Sequence, residues 1–257
     1  MKTKKRRDTT VAILSFAAIM VAWWAGTKFT NVNKVFLPSP RQVFDALLEL
    51  ARDGSLWEHT WCSTYRVLIG WVISVVAALP LGMLAATSRV CRSIFQPITE
   101  FMRYLPVVAL VPLTLLYFGI GESQKYAIIF LGTFFQLMLM VQDSIASVDQ
   151  HLMNAAATLG ASRMQQYCRV LLPAALPSLL DDMRLTIGWA WTYLVVAEMV
   201  AADAGLGYMI LKNQRYLATD VIFSGLIMIG LVGLVTDMVF RIATRLIVPW
   251  QERLRAK

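Results

Sequence analysis

The chain has little of what an enzyme needs. Its two histidines, His59 and His151, fall on opposite sides of a membrane in the topology argued below, and no group of His, Asp, Glu, Cys or Ser gathers into a cluster able to act together. Three cysteines, Cys62, Cys91 and Cys168, show no CxxC spacing, and the same topology puts the first outside and the other two inside. Neither a disulfide nor a metal site is implied. A GxxxxGK[ST] phosphate loop is missing, as is any hydrophilic block large enough for a nucleotide domain, so this chain binds no cofactor of its own and draws no energy from ATP directly. There is no tandem repeat, low-complexity tract or long linker, which leaves a single domain over residues 1–257.

Acidic residues are also scarce: 16 Asp and Glu stand against 24 Lys and Arg, a net charge of +8. Such an excess suggests nucleic acid until its placement is examined. Apolar residues make up 58% of the chain, the mean hydropathy is +0.59, and the apolar residues come in long blocks. Six blocks, at about 11–27, 64–87, 100–119, 126–147, 182–202 and 221–241, approach the ~20 residues that cross a bilayer core. The predicted class is therefore an all-α, polytopic membrane protein with six spans. With the N-terminus inside, the cytoplasmic segments carry Lys2, Lys4, Lys5, Arg6, Arg7, Arg89, Arg92, Arg163, Arg169, Arg184, Arg241, Arg245, Arg253, Arg255 and Lys257. That is 15 of the 24 cations; 7 (Lys28, Lys34, Arg41, Arg52, Lys125, Lys212, Arg215) lie opposite, and Arg66 and Arg103 fall within spans. The positive-inside rule explains the basicity without nucleic acid and predicts cytoplasmic termini. The basic start and the run VAILSFAAIMVAWWAG resemble a secretory signal, but no small-x-small site follows and Trp23 and Trp24 are bulky, so a retained first span is expected.

Between spans, Ser39 with Gln42 and Ser55 with Glu58 have capping-box spacing, predicting two short helices outside the bilayer core. Val43, Phe44, Leu47, Leu48 and Ala51 share a face that would lie on the outer interface or pack on the other helices. The third span carries Pro106 and Pro112, predicting a bent helix that lines a path. The stretch AADAGLGYMILKNQRYLATD is too short to cross again and reads as an outer re-entrant turn or surface helix. Ionisable groups at membrane depth call for a partner or a function. Arg103 is a candidate anion contact, or snorkels to the interface, or pairs with Glu100 or Asp181. Glu198, of the wrong sign for an anion ligand, reads as a structural partner or gate element, and Asp237 pairs with Arg241 one turn on. Trp189, Thr192 and Tyr193 face either a polar path or lipid.

The polar segment 154–173, NAAATLGASRMQQYCRVLLP, predicts helix, turn, helix beside the membrane: Ala155 to Ala157 favour helix, Gly160 permits a tight turn, and Pro173 ends or begins a helix. Its spacing resembles the cytoplasmic loop of binding-protein-dependent ABC importer permeases, with Ala155, Ala156, Gly160, Leu172 and Pro173 in register. Asn154 stands where that family usually has Glu, a position read as helix capping, and Val170 where it usually has Ile. FLPSPRQV (36–43), RYLPVVALVPLTLLYFGIGESQK (103–125), VVAEMVAADAGLGYMI (195–210), YLATDVIFSG (216–225) and PW (249–250) are similar to the subfamily serving nitrate, taurine and other sulfonates.

The resemblance implies a type I permease bundle in the bacterial inner membrane, paired as a homodimer with two ATPase subunits that hold ATP and Mg and with an outer solute-binding protein. In the coupling loop, about 149–173, Asn154, Ala155, Ala156, Gly160, Ala161, Ser162, Leu172 and Pro173 would meet the ATPase, residues 154–162 as a short helix. The substrate path would involve Arg103, Pro106, Pro112, Trp189, Thr192, Tyr193 and Glu198, with membrane lipid around the bundle. An autonomous ion-coupled carrier or channel is the alternative from composition alone.

Overall fold

The computed structural model describes residues 2–29 and 35–250, and not the side chains of residues 2–9, 12, 13 and 201. Of the charge tally, Lys34, Arg253, Arg255 and Lys257 lie outside the described residues, as do the side chains of Lys2 to Arg7. Among the described residues all regular structure is helical: α1 (Lys2–Phe29), α2 (Pro40–Arg52), α3 (Ser55–Thr87), α4 (Arg89–Met102), α5 (Val111–Phe118), α6 (Glu122–Ala146), α7 (Gln150–Thr158), α8 (Arg163–Gln166), α9 (Leu172–Ala201), α10 (Leu206–Arg215) and α11 (Thr219–Ile247). A 3₁₀ turn, Val107–Leu110, precedes α5, and a π turn, Tyr167–Leu171, precedes α9.

The centre is a bundle of α3, α6 and α9. Gly70 and Gly82 let α3 close on α6: a Cβ at Gly70 would stand 2.7 Å from the Ile129 Cβ, and one at Gly82 equally near the Val141 Cγ1. Small residues at such crossings let helices pack where lipid supplies no hydrophobic drive. Val67, Trp71, Ala78, Ile129, Leu137, Met138, Ala190 and Leu194 fill the seam. Buried polar groups there pair across it. The Thr133 hydroxyl donates to Ser74 Oγ at 2.7 Å, Trp71 Nε1 to Thr186 Oγ1 at 3.2 Å, and Ser144 to Asp182 at 2.6 Å. These contacts run α3 and α6 in one direction and α9 in the other.

Three helices, α3, α6 and α11, are long and apolar enough to cross a membrane, and a fourth crossing exists if the bent pair from Arg89 to Phe118 counts as one. The apolar part of α1 is shorter, Leu14–Phe29. Helix α9 has 30 residues, long enough to cross, but Asp181, Asp182, Arg184 and Glu198 interrupt its apolar run. On α11, Leu234, Val235, Met238 and Val239 are exposed, as a face turned to lipid would be.

Three sequence expectations change. The span predicted at 100–119 is not one bent helix: α4 stops at Met102, and after Pro106 the chain leaves at 93°. Pro106 lacks an N–H and disfavours helical geometry at Leu105, so the break falls there. Pro112 lies in the first turn of α5, where no donor is needed, and breaks nothing. The second capping box does not form. Gly54, with φ +85°, precedes α3 without a side-chain cap, and the Ser55 hydroxyl and amide both bind Asp53 Oδ1, at 2.6 and 2.8 Å. Those two bonds hold the exposed Asp53 carboxyl below its usual pKa. Nor is there a separate second helix, since α3 runs unbroken from Ser55 into the bundle. The Ser39–Gln42 box does open α2, whose Val43 and Ala46 are buried on the bundle while Phe44 and Leu48 stay exposed. The Val43 carbonyl accepts from Ser224 Oγ on α11 at 3.2 Å, so the packing alternative describes this helix.

Candidate functional site

The break at Pro106 opens a cavity of about 450 Å³ halfway along the bundle, beside the middles of α6 and α9. Arg103, Tyr104, Pro106, Gln136, Trp189 and Tyr193 contribute to its lining. Trp189 and Tyr193, four residues apart, reach it from one face of α9. Tyr193 lies flat on the Gly132 backbone, where a Cβ would stand 2.7 Å from the ring Cγ. A Gly132→Val substitution is therefore expected to push the ring into the cavity and cut uptake while the protein still folds. Uptake at the wild-type level from normally folded protein would show that the ring does not border the route.

Arg103 closes α4, donates from Nη2 to the Tyr104 hydroxyl at 2.8 Å and stacks over that ring at 4.7 Å. It pairs with neither carboxylate expected for it. Glu100 accepts from Gln96 at 2.8 Å, and Asp181 lies 3.7 Å from Arg184. Among the described residues no carboxylate lies within ion-pair distance of Arg103, so the cavity has an exposed cation, an amide at Gln136 and aromatic walls. Such a mixture suits a small anion with a less polar body. Thr192 is exposed outside this lining, Pro112 starts α5, and Glu198 is elsewhere. Gln136 was missed in the sequence, although a lone amide in the apolar run of α6 was the signal.

Glu198 is the centre of a second constellation, at the end of the bundle where α9 turns into α10. It is 1% exposed. Its carboxylate accepts from Arg66 Nη1 at 2.7 Å, from Ser63 Oγ at 2.8 Å and from the Gly207 amide at 2.9 Å. The Arg66 guanidinium also holds Glu122 through two bonds of 2.7 and 2.6 Å and donates to the Ala204 carbonyl. Ser63 Oγ accepts from the Leu206 amide at 2.8 Å, and His59 Nδ1 from Gly205 at 3.2 Å. Three amides at the start of α10 are thus capped by side chains of α3 and α9, an arrangement the helix dipole favours. A Cβ at Gly205 or Gly207 would collide with Glu198, which explains GLG at 205–207. The structural-partner role expected of Glu198 is what this geometry gives it. At the other end of the bundle Asp237 accepts from Arg241 at 2.7 Å, as expected, and also from Arg184.

At that other end, helix, turn, helix forms with shifted bounds. Helix α7 spans Gln150–Thr158 rather than 154–162, and its cap is Asp149, whose side chain accepts from the His151 amide at 2.9 Å. Asn154 does not cap. It lies inside α7, its carbonyl accepting from Thr158 Oγ1 at 3.0 Å. Gly160 takes φ +81°, and the bonds Ala161 N–H to Ala156 O and Gly160 N–H to Ala157 O, both 3.0 Å, form a Schellman closure. Ser162 then opens α8 with a capping box to Gln165, and Pro173 sits in the first turn of α9. The tip is bare: Leu159 is 88% exposed, and Asn154 and Ala155 are exposed on the same projection.

An all-helical bundle with long apolar helices and apolar outer faces is the architecture of a polytopic membrane protein. The chain belongs to the family of binding-protein-dependent transport system inner membrane components, which it matches over residues 78–253. It is a multi-pass component of the bacterial inner membrane and a transport subunit, not an enzyme. It is 34% identical over 249 residues to the taurine transport system permease protein TauC of Escherichia coli K12, covering 95% of this chain and 90% of that one. It is 33% identical over 248 residues to the putative aliphatic sulfonates transport permease protein SsuC of Bacillus subtilis 168, covering 96% and 90%. Among solved structures, the inward-facing MetNI methionine ABC transporter shares its fold with a TM-score of 0.63 at 22% identity, over 72% of this chain and 92% of that chain.

Proposed function

We propose that the chain is the transmembrane subunit of an ATP-driven importer for a small anionic solute of the sulfonate or taurine type, with nitrate the next candidate. The solute is delivered by a binding protein at the α10 end, which faces outward, and two ATPase subunits carrying ATP and Mg dock at the α7 end, in the cytosol. Both termini are then cytoplasmic, and the whole chain acts as one permease domain. The observation that carries this reading is the exposed α7–Gly160–α8 projection, a rigid, doubly capped knob joined through α9 to the cavity wall. Small side chains at Ala155, Ala156, Gly160 and Ala161 admit close docking, with Asn154 and Ser162 on the knob and Leu172 and Pro173 at its root. A second copy packed against the exposed Leu116, Tyr117 and Phe118 of α5 makes the homodimer.

Reconstitution in vesicles tests the proposal. The chain alone should not accumulate solute under any ion gradient, and ATP-dependent uptake should appear once ATPase and binding protein are added. Accumulation by the chain alone replaces this reading with an ion-coupled carrier. Within the importer, Arg103→Gln should lower anion uptake about tenfold, the worth of one charge-assisted hydrogen bond, with ATPase association unchanged. Equal uptake by the variant removes Arg103 from the path.

A further inference from the structure

A second cavity, about 430 Å³, lies at the α7 end between the last turns of α3, the end of α6 and the π turn, with Pro80, Met83, Leu84, Ile145, Tyr167 and Leu171 in its wall. Its lining is almost wholly apolar; the Thr87 hydroxyl is turned away to the Met83 carbonyl at 2.9 Å. Leu84 and Met164 are exposed at its edge, so the slot opens sideways to whatever surrounds the bundle. The wider turn of Tyr167–Leu171, where the Leu172 amide reaches back to the Tyr167 carbonyl, shapes one side. Such turns inside helices are concentrated at functional positions.

Cations outnumber anions in the segments that line the slot. Arg163 precedes the lining residue Met164, Arg169 follows Cys168, and Arg89 stands two residues beyond Thr87. All three are exposed, and among the described residues none makes an ion pair. No Asp or Glu occurs between Glu58 and Glu100 or between Asp149 and Asp181, so neither α3 nor the segment through the π turn brings a counter-charge, and Asp143, exposed two residues before Ile145 on α6, pairs with none of the three. Arg92 is used otherwise, capping the Ala85 and Ala86 carbonyls at 3.3 and 2.9 Å. An apolar slot opening laterally beneath unneutralised guanidinium groups matches an acyl chain beneath a phosphate. A free anion has no use for the slot, and a neutral lipid leaves the rim unmatched.

We infer that this groove holds an acyl chain of an anionic phospholipid from the leaflet at the α7 end, its phosphate bridged by Arg163 and Arg169. The lipid wedges the π turn, the elbow joining the α7–α8 knob to α9, and so sets how stiffly motion of the knob reaches the cavity. That regulatory consequence rests on the importer reading; the lipid site itself does not.

Native mass spectrometry of the full chain, released without ATPase from nanodiscs of equal phosphatidylglycerol and phosphatidylcholine, tests it. One phosphatidylglycerol per chain should be retained. Arg163→Gln with Arg169→Gln should reduce that retention about tenfold or more, since each cation at a membrane surface is worth about 1 kcal/mol. Cys168→Trp, which fills the slot from its exposed edge, should abolish it, and Arg41→Gln, far from the groove, should change nothing. Should either groove variant fold poorly, wild-type protein gives the answer: added phosphatidylglycerol should raise its thermal midpoint in detergent and phosphatidylcholine should not. Equal retention of both lipids, or unchanged retention in the groove variants, overturns the site. So does a pair of Arg variants that lose ATPase association in the assembled transporter while keeping the lipid, because the rim then belongs to the ATPase.

Discussion

Arg66→Ala should leave little folded protein in the membrane. The guanidinium satisfies Glu198, Glu122 and the Ala204 carbonyl together, and Glu198 is buried away from solvent. Removing one partner of a buried pair costs about 3–5 kcal/mol because the other charge is stranded, comparable with the whole stability of many domains, about 5–15 kcal/mol. A graded series follows from the geometry. Glu198→Gln should be milder, since its amide oxygen still accepts from the Gly207 amide. Glu122→Gln should be mildest, since Glu122 is 47% exposed and leaves Arg66 its bond to Glu198. Thermal midpoints and monodisperse yield in detergent report the order. If Arg66→Ala matches Glu122→Gln, the constellation is not what ties α10 to the bundle.

Ala155→Arg should do the opposite, leaving the fold intact and uptake nearly absent. Ala155 is exposed on α7, where an arginine is tolerated by an isolated helix but stands in the surface proposed to enter the ATPase. A disrupted contact at the centre of an interface costs about 2 kcal/mol or more, about thirtyfold in affinity. Gly160→Val should act by another route. A β-branched residue at φ +81° is strained, so the Schellman closure opens and the knob loses its shape. Pull-down of the ATPase and ATP-dependent uptake should fall together in both variants, with the thermal midpoint of the permease nearly unchanged. Wild-type values of both for Ala155→Arg would remove α7 from the coupling contact.

Much of this architecture was legible because membrane helices and their ends obey local rules. The apolar runs marked α3, α6 and α11, the Ser39–Gln42 box marked α2, and Gly160 marked the turn. Local rules also produced the errors. Ser55 has capping-box spacing, but Asp53 two residues earlier binds it first. Asn154 is a good capping residue, but Asp149 caps the helix one turn upstream. Of the two prolines in the third predicted span only Pro106 breaks the chain, because what a proline costs depends on whether its position needs an N–H. Pairing across the bundle was the least legible. Glu198 announced the need for a partner while Arg66 was marked only as lying within a span; the two are 132 residues apart, and nothing local specifies which distant charge will meet which. Trp189, Tyr193, Arg103 and Pro106 do share one cavity, whereas Thr192 and Glu198 do not, because direction around a helix is set by packing that the linear order leaves open.

The tie between Arg66 and Glu198 bears on how this protein can be recombined with its relatives. The match to the family as a whole begins at residue 78, inside α3, although single relatives align over nearly the whole chain. A hybrid spliced there takes Ser63 and Arg66 from one parent and Glu198 with the 205–207 glycines from the other, separating donors from their acceptors. A crossover at Asp53–Gly54, before α3 begins, inherits the complete set from a single parent, and it is the junction at which subunits should exchange without losing the attachment of α10.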